Sequence, residues 1–289
     1  MGHRAVVVAR LPAFLHTLPG MNNEPANESS GAVVTADFVR HRNVLLLQAD
    51  MGPLLVDYYL HLADNGIKHT PGQDAQLKHA LTAFTLHAAS RPRNEHLSWT
   101  IGLQNPPLNL FVAGDNEDCI VTGRLFTENV REAPANVLYS ELMPGRGAEK
   151  RRSVINFEGT DLFQAAENFY ATSEQRPARF FDLGDDKYAM LLAHPDVDEA
   201  WLRTVTLDDL KTLAKTQTLA RIERRLYRWH CGCEQRKILA ALAPAAQQGL
   251  GDLFGDSEVI HVQCPRCAAN YAITREAMEA WLAGAAKTT

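Results

Sequence analysis

The most constraining feature of this 289-residue chain is a pair of short cysteine motifs near its C-terminal end. The motifs are Cys231-Gly232-Cys233 and Cys264-Pro265-Arg266-Cys267, and thirty residues separate them. Two such pairs can converge on one tetrahedral ion, because Zn²⁺ accepts four thiolates at about 2.3 Å in closed sites. Gly232 supplies the backbone freedom that two ligands only one residue apart require. The sequence therefore predicts one zinc ion bound by all four cysteines.

The same site is expected to be sensitive to oxidants. Four thiolates on Zn²⁺ leave a net charge of about −2, so cationic neighbours are expected, and Arg236, Lys237 and Arg266 are the candidates. Metal-bound thiolates are also the species that oxidants attack. Oxidation would remove the ligands, release the ion and unfold a segment that depends on it. The same residues are also compatible with a purely structural zinc site whose cysteines are never oxidised in the cell.

Three other candidate ligands lie outside this set. Cys119 lies in a strand pattern and is predicted to be a small core residue. His230 and His261 neighbour the cysteines, yet four thiolates already complete a tetrahedral shell. We therefore predict that neither histidine binds the metal.

Composition and charge narrow the functional classes. The net charge of −5 gives no overall attraction for nucleic acid or anionic lipid. No run approaches the ~20 apolar residues of a membrane span, and Arg10 and Pro12 interrupt the only stretch that resembles a signal peptide. Clustered cysteine pairs are typical of a reducing compartment, which predicts a cytoplasmic protein. The absence of a nucleophile elbow, a phosphate loop and an H-E-x-x-H motif predicts that it is not an enzyme.

The chain is predicted to be an α+β protein with four parts. Residues 1–34 are expected to be a mobile leader, with Met21 as a possible true start. Residues 35–194 are expected to form a large core domain with antiparallel strands. A helical linker over 195–230 and a small zinc-binding domain over 231–289 follow.

Hydrophobic periodicity predicts the elements of these parts. Helical spacing recurs over 51–62 and 77–88, and Thr160 fits the N-cap of a third helix. Alternating apolar residues predict strands over 97–103, 108–112, 119–126 and 153–157. A hairpin over 179–193 is expected to turn at Gly184-Asp185-Asp186, and three short helices are expected between 197 and 229.

The last of these predicted helices carries four arginines at helical spacing: Arg221, Arg224, Arg225 and Arg228. A solvated cationic face explains such a stripe, and so does a surface for an acidic partner or nucleic acid. A competing function is therefore a zinc-ribbon binding module that uses the stripe to hold nucleic acid or an acidic protein. A third possibility is a thiol oxidoreductase in which Cys264 and Cys267 cycle catalytically.

Three segments resemble one known family. Ser173–Phe181 (SEQRPARFF) follows a helix ending in Phe169-Tyr170, and Arg224–Tyr227 reads RRLY. The third segment is CGCEQRKILAAL followed by VQCPRCAANYAI, which includes Tyr271 after the second cysteine pair. Together with the order of the parts, these segments resemble the heat shock protein 33 family, also called the 33 kDa chaperonin.

The resemblance, which covers residues from about 36 to 283, implies a redox-regulated, ATP-independent holdase that binds unfolding client proteins. In that family the reduced form is zinc-bound and inactive. Oxidation gives disulfides, releases zinc and exposes apolar surface, and it also favours a homodimer. Carried over, the implied disulfides are Cys231 with Cys233 and Cys264 with Cys267. Only Arg228-Trp229-His230 lie between RRLY and the first cysteine, a shorter connection than the family usually shows.

Overall fold

The computed structural model describes residues 31–128, 130, 133–145 and 149–285. The predicted leader lies outside these residues up to position 30. Ala32–Val34 already belong to the first strand, so the predicted end of the leader at residue 34 is wrong. Among the described residues, one compact unit comprises 31–63 and 68–230, and the other comprises 64–67 and 231–285. The predicted boundary at 194 stays a prediction.

The larger unit is an α+β fold around one sheet. Its strands are β1 Ala32–Val39, β2 Val44–Asp50, β3 His96–Gln104, β4 Pro107–Asp115, β5 Ile120–Phe126, β6 Asn136–Met143, β7 Arg151–Phe157, β8 Ala178–Gly184, β9 Lys187–Ala193 and β10 Leu219–Trp229. Its helices are α1 Gly52–Asp64, α2 Pro71–Ala89, α3 Leu162–Thr172, α4 Glu199–Thr204 and α5 Leu207–Thr216. The α+β class predicted from the sequence is confirmed.

The ten strands form one sheet in the order β7-β6-β3-β4-β5-β10-β1-β2-β9-β8. All neighbours are antiparallel except β10 and β5, which pair in parallel at Arg228 with Ile120 and at Trp229 with Val121. β7 and β8 are the two edges of the sheet.

Two apolar layers cover the sheet. Helices α1, α2 and α3 contribute to the main core, whose largest buried side chains include Trp99, Tyr58 and Phe84. Helix α2 is buried on all sides over its second half because it runs through the middle of this layer. A second cluster joins α4 and α5 to strands β1, β2, β8 and β9. We call its strand residues the covered face: Val39, Val44, Leu46, Phe181, Ala189, Leu191 and Ala193.

Two local predictions in this unit are corrected. Asp161, and not Thr160, is the N-cap of α3, because its carboxylate accepts the N–H groups of Phe163 and Gln164. The helix predicted over the last part of 197–229 is wrong, because Leu219–Trp229 is strand β10. Its apolar spacing fits a helix, but pairing with β1 and β5 provides more backbone partners, and tertiary pairing outweighs local periodicity.

The smaller unit combines short helices with a hairpin. It contains α6 Gln235–Gln248, α7 Leu250–Phe254, β11 Val259–Gln263, β12 Asn270–Thr274 and α8 Arg275–Ala285. Its core is a separate small cluster that includes Ile238, Leu242, Phe254, Ile273 and Met278. None of the helices within the described residues is long and apolar enough to cross a membrane.

Candidate metal centre

The first cysteine pair lies directly after β10 in a segment without regular structure. Gly232, between Cys231 and Cys233, has a φ of +65°. This left-handed conformation is open to glycine and costly for residues with a side chain, so the tight turn between the two cysteines depends on Gly232. The Lys237 side chain donates to the Gly232 carbonyl over 2.6 Å and holds the turn from α6.

The second pair forms the turn of the β11–β12 hairpin. The Cys264 amide donates to the carbonyl of Ala269 over 2.8 Å, and the Ala268 amide donates to the carbonyl of Cys264 over 2.9 Å. Ala268 has a φ of +63°. The Arg266 amide lies 3.4 Å from Cys264 Sγ and donates to it. The backbone of this turn therefore both presents the sulfurs and stabilises negative charge on one of them.

The fold brings all four predicted ligands together. Their Sγ atoms lie within 4.8 Å of one another, with Cys264 and Cys267 buried and Cys231 and Cys233 half-buried. Cys231 Sγ is 3.7 Å from Cys264 Sγ, and Cys233 Sγ is 3.5 Å from Cys267 Sγ. Sulfurs at about 2.3 Å from a tetrahedral ion are about 3.8 Å apart. The donor set fits a tetrahedral metal ion, and the four cysteines are positioned to bind one.

The sulfurs also perturb one another. Hydrogen bonding with Cys231 is the main cause that lowers the pKa of Cys233 to about 7 and holds the pKa of Cys264 well below its usual range. Hydrogen bonds raise the pKa of Cys231, chiefly through Cys233, and that of Cys267, chiefly through Cys231. The cluster thus favours the thiolate at Cys233 and Cys264 and the protonated thiol at Cys231 and Cys267. Thiolate is the form that ligates metal and reacts with oxidants.

Tyr271 is a site residue that spacing arguments alone do not reveal. Its hydroxyl donates to Cys233 Sγ over 3.1 Å. The only sequence signal is a tyrosine four residues after Cys267, which the family resemblance includes. Of the three cations expected near the site, Lys237 contacts the first turn and Arg266 contributes its amide, whereas Arg236 pairs with Glu234.

The remaining predicted residues lie elsewhere. Within the described residues, the group that can hold a metal contains the four cysteines and neither His230 nor His261. Cys119 is in the turn before β5, with a φ of +51°, and not in a strand as predicted. It is half-buried against the main core, and burial raises the pKa of its thiol.

The predicted helical stripe of arginines does not exist, because these residues alternate along β10. Arg221 pairs with buried Asp37 over 2.6 Å. Arg225 is itself buried and pairs with Glu223 over 2.7 Å. Two of the four arginines therefore bind acidic groups of the same unit, which leaves no row of four cations along one face.

Comparisons with known proteins find similarity to one family of chaperones. Residues 182–274 match the family model described as Hsp33 protein. The 33 kDa chaperonin of Nitrosococcus oceani is 24% identical over 154 residues, which cover 46% of this chain and 53% of that protein. The 33 kDa chaperonin of Pseudomonas paraeruginosa is 26% identical over 179 residues, covering 53% and 60%. The chain thus spans little more than half the length of these relatives.

A solved structure shares the fold. The crystal structure of the 33 kDa chaperonin (heat shock protein 33 homolog) from Thermotoga maritima aligns with a TM-score of 0.67 at 14% identity. The alignment covers 89% of this chain and 99% of that one. The matched segment, the named relatives and the shared fold make the chain similar to Hsp33 proteins.

Proposed function

We propose that this chain is a redox-regulated, ATP-independent holdase that binds one Zn²⁺ in its reduced form. The observation that carries the proposal is the cluster of four Sγ atoms within 4.8 Å of one another, in a chain whose residues 182–274 match the Hsp33 family model. When bound, zinc would clamp the C-terminal unit and keep its ligands deprotonated. Cys231, Cys233, Cys264 and Cys267 are its proposed ligands.

The proposed switch is the oxidation of these thiolates to two disulfides. For each disulfide, two thiolates lose two electrons to one peroxide molecule, which takes up two protons and leaves as two waters. The sulfurs then no longer offer the charge that zinc requires, and the ion leaves. Half-buried Cys231 and Cys233 are the more accessible pair and the proposed first target.

The proposed pairing is Cys231 with Cys233 and Cys264 with Cys267. The short distances from Cys231 to Cys264 and from Cys233 to Cys267 make crossed pairing a real competitor. Tryptic mapping of the oxidised protein distinguishes the proposed pairing from the crossed pairing. The proposed pairing leaves one disulfide inside peptide 229–236 and links peptide 238–266 to peptide 267–275. A link between 229–236 and either of the other peptides would contradict it.

The proposed client-binding surface is the covered face. Helices α4 and α5 cover it through Leu202, Val205, Leu210 and Leu213. With six and ten residues, these helices are too short to be stable without tertiary packing. Local opening of the α4–α5 segment would expose apolar surface while β9 and β10 stay in the sheet. An exposed apolar patch of this kind binds non-native chains without a nucleotide.

The family resemblance also supports proposals on the location and the oligomeric state of the protein. We place the protein in the cytoplasm, where thiols stay reduced until oxidant stress. Oxidation is proposed to favour a homodimer, and catalysis is not part of the proposed function. Gel filtration with light scattering, before and after peroxide, tests the dimer.

Aggregation of a thermally unfolding client enzyme, followed by light scattering, tests the holdase. Zinc-loaded reduced protein is expected to suppress little aggregation, and the peroxide-treated protein most of it, with no effect of ATP. The Cys119→Ser variant is the matched control and should behave like the wild type. Negligible suppression by both redox forms, or equal suppression by both, would overturn the proposal. Zinc release followed with a chromogenic chelator should precede the gain of activity.

A further inference from the structure

The turn between β1 and β2 contacts both ends of the α4–α5 segment. At the start of the segment, the His194 amide donates to the Asn43 carbonyl over 2.9 Å. At its end, the Arg40 amide donates to the Thr218 carbonyl over 3.0 Å. The segment therefore leaves the sheet after β9 and returns to it at β10 beside the same turn. We call this turn, residues 40–43, the anchor turn.

The Arg42 side chain joins the two helices of the segment to the anchor turn. Its guanidinium donates to the Asp198 carboxylate over 2.5 Å and to Gln217 Oε1 over 3.3 Å. Its Cζ lies 5.4 Å from the centroid of the Trp201 ring, and its carbonyl accepts the Asp198 amide over 3.0 Å. Asp198 is the N-cap of α4 and Gln217 is the C-cap of α5. One side chain therefore ties the beginning of α4 to the end of α5.

The Asp198 carboxylate has two functions. Its Oδ1 accepts the Trp201 amide over 3.0 Å as the N-cap of α4, and its Oδ2 accepts the Arg42 guanidinium. The Trp201 amide and then Arg42 lower the pKa of this carboxyl group, so it stays ionised. Because α4 has only six residues, it depends on its cap and on packing. The same carboxylate thus caps α4 and holds it against the anchor turn.

The backbone is strained where the anchor turn meets the segment. His41 and Asn43 of the turn have φ values of +65° and +51°, and Asp196 of the segment has a φ of +60°. The Asn43 side-chain amide donates to the Asp196 carbonyl over 2.9 Å. Left-handed residues other than glycine persist only where surrounding contacts hold them, and they concentrate at sites that switch. The closed segment is therefore held at a cost that its opening would relieve.

We propose that Arg42 is a latch that keeps the α4–α5 segment closed over the covered face, and that loss of this latch exposes the covered face while zinc is still bound. The inference rests on the proposed function, because it names what keeps the client-binding surface closed in the reduced protein. All contacts of the latch named above lie within the larger unit. The latch can therefore be opened without removing any of the proposed zinc ligands.

Arg42→Ala in the reduced, zinc-loaded full chain is the first test. Loss of a charge-assisted hydrogen bond should make amide exchange in α4 and α5 about tenfold faster. The variant should also bind a hydrophobic dye and suppress aggregation of the client enzyme without peroxide. Arg40→Ala is the matched control, because it removes an exposed arginine of the same turn but keeps the amide that donates to Thr218. Equal exchange in the two variants would overturn the proposal.

Asp198→Asn separates the latch from the helix cap. Asparagine is as good an N-cap as aspartate, but it offers Arg42 no negative charge. We expect Asp198→Asn to speed exchange in α4 and α5 about three- to tenfold. Adding it to Arg42→Ala should have no further effect, because both substitutions break the same contact. Additive effects would overturn the latch, and if Arg42→Ala does not fold by circular dichroism, unchanged exchange in Asp198→Asn would overturn it.

Zinc content and client-free measurements separate this inference from the holdase proposal. Chelator titration should find as much zinc in reduced Arg42→Ala as in the wild type, and loss of zinc from this variant would overturn the latch. Amide exchange in the reduced variants involves neither client nor oxidant. Slow exchange in Arg42→Ala, with an active oxidised wild type, would overturn the latch alone. Fast exchange in Arg42→Ala, with an inactive oxidised wild type, would overturn the holdase and support the latch.

Discussion

The Tyr271 hydroxyl donates a hydrogen bond to Cys233 Sγ over 3.1 Å. Tyr271 is in β12, and Cys233 follows the tight turn at Gly232. The bond therefore ties the two halves of the cysteine cluster together. It also places a donor on the sulfur of the more exposed pair, where negative charge has to be stabilised.

Replacing Tyr271 should weaken the metal site without removing a ligand. For Tyr271→Phe we expect zinc affinity to fall about tenfold, since loss of a hydrogen bond to a ligand typically costs 10- to 100-fold. Chelator competition on the reduced protein measures this. Tyr139→Phe, which changes an exposed tyrosine on β6, is the control. Unchanged affinity in Tyr271→Phe would mean that the bond does not act on the site.

Loss of one ligand should unfold the smaller unit alone. Its core is small, and a segment of this size is marginal without a further constraint. For Cys264→Ser we expect loss of zinc and fast amide exchange over 231–285, while the sheet of the larger unit stays protected. The Cys119→Ser variant should keep its zinc and its slow amide exchange over 231–285. Hydrogen exchange read by mass spectrometry is the measurement, and protection of 231–285 in Cys264→Ser would contradict metal dependence.

Arg179 should control how readily α4 leaves the covered face. Its guanidinium donates to the carbonyls of Leu202, Arg203 and Val205 at the end of α4. For Arg179→Ala we expect local opening to become easier by about 1.5–3 kcal/mol. The readouts are faster amide exchange in α4 and α5 and stronger binding of a hydrophobic dye by the reduced protein.

The control for this prediction is Arg203→Ala. Arg203 forms an exposed i,i+4 pair with Glu199, and such pairs contribute at most about 0.5 kcal/mol. The amide exchange and the dye binding of Arg203→Ala should match those of the wild type. Equal effects of the two substitutions would show that the three carbonyl contacts of Arg179 do not hold α4.

The buried His87 should make the larger unit sensitive to acid. Burial, reinforced by Arg91, lowers its pKa to about 3, and its Nδ1 is 2.7 Å from the Tyr170 hydroxyl. The native state therefore keeps the ring neutral, whereas the unfolded chain takes up a proton near pH 6.5. The stability from this residue is complete above pH 6.5 and falls by about 1.4 kcal/mol per pH unit down to about pH 3.

Urea unfolding between pH 6.5 and 5 measures this effect through the fluorescence of Trp99, whose ring centroid is 4.9 Å from that of His87. The wild type should lose about 1.7 kcal/mol more than His87→Gln over this range. Comparing the two slopes cancels the contribution of other histidines. Identical slopes would contradict the assignment.

Features that depend on neighbouring residues could be predicted from the sequence. Amphipathic spacing places α1 and α2 correctly, and the turn at Gly184-Asp185-Asp186 joins β8 to β9. The two cysteine turns are also local, because glycine at 232 and the two-residue spacing of the second pair present each sulfur pair without help from distant chain. The four-cysteine group and the α+β class follow from these local rules.

Pairing between strands distant in sequence decided the secondary structure where local patterns predicted it wrongly. Leu219–Trp229 has helical apolar spacing, yet β1 and β5 offer backbone hydrogen bonds on both sides and make it a strand. Two contacts also depend on side chains distant in sequence: Tyr271 with Cys233 and Glu167 with the Phe180 amide. A period in the sequence reports which residues are apolar, but the free energy of a sheet comes from partners that only the folded chain brings together.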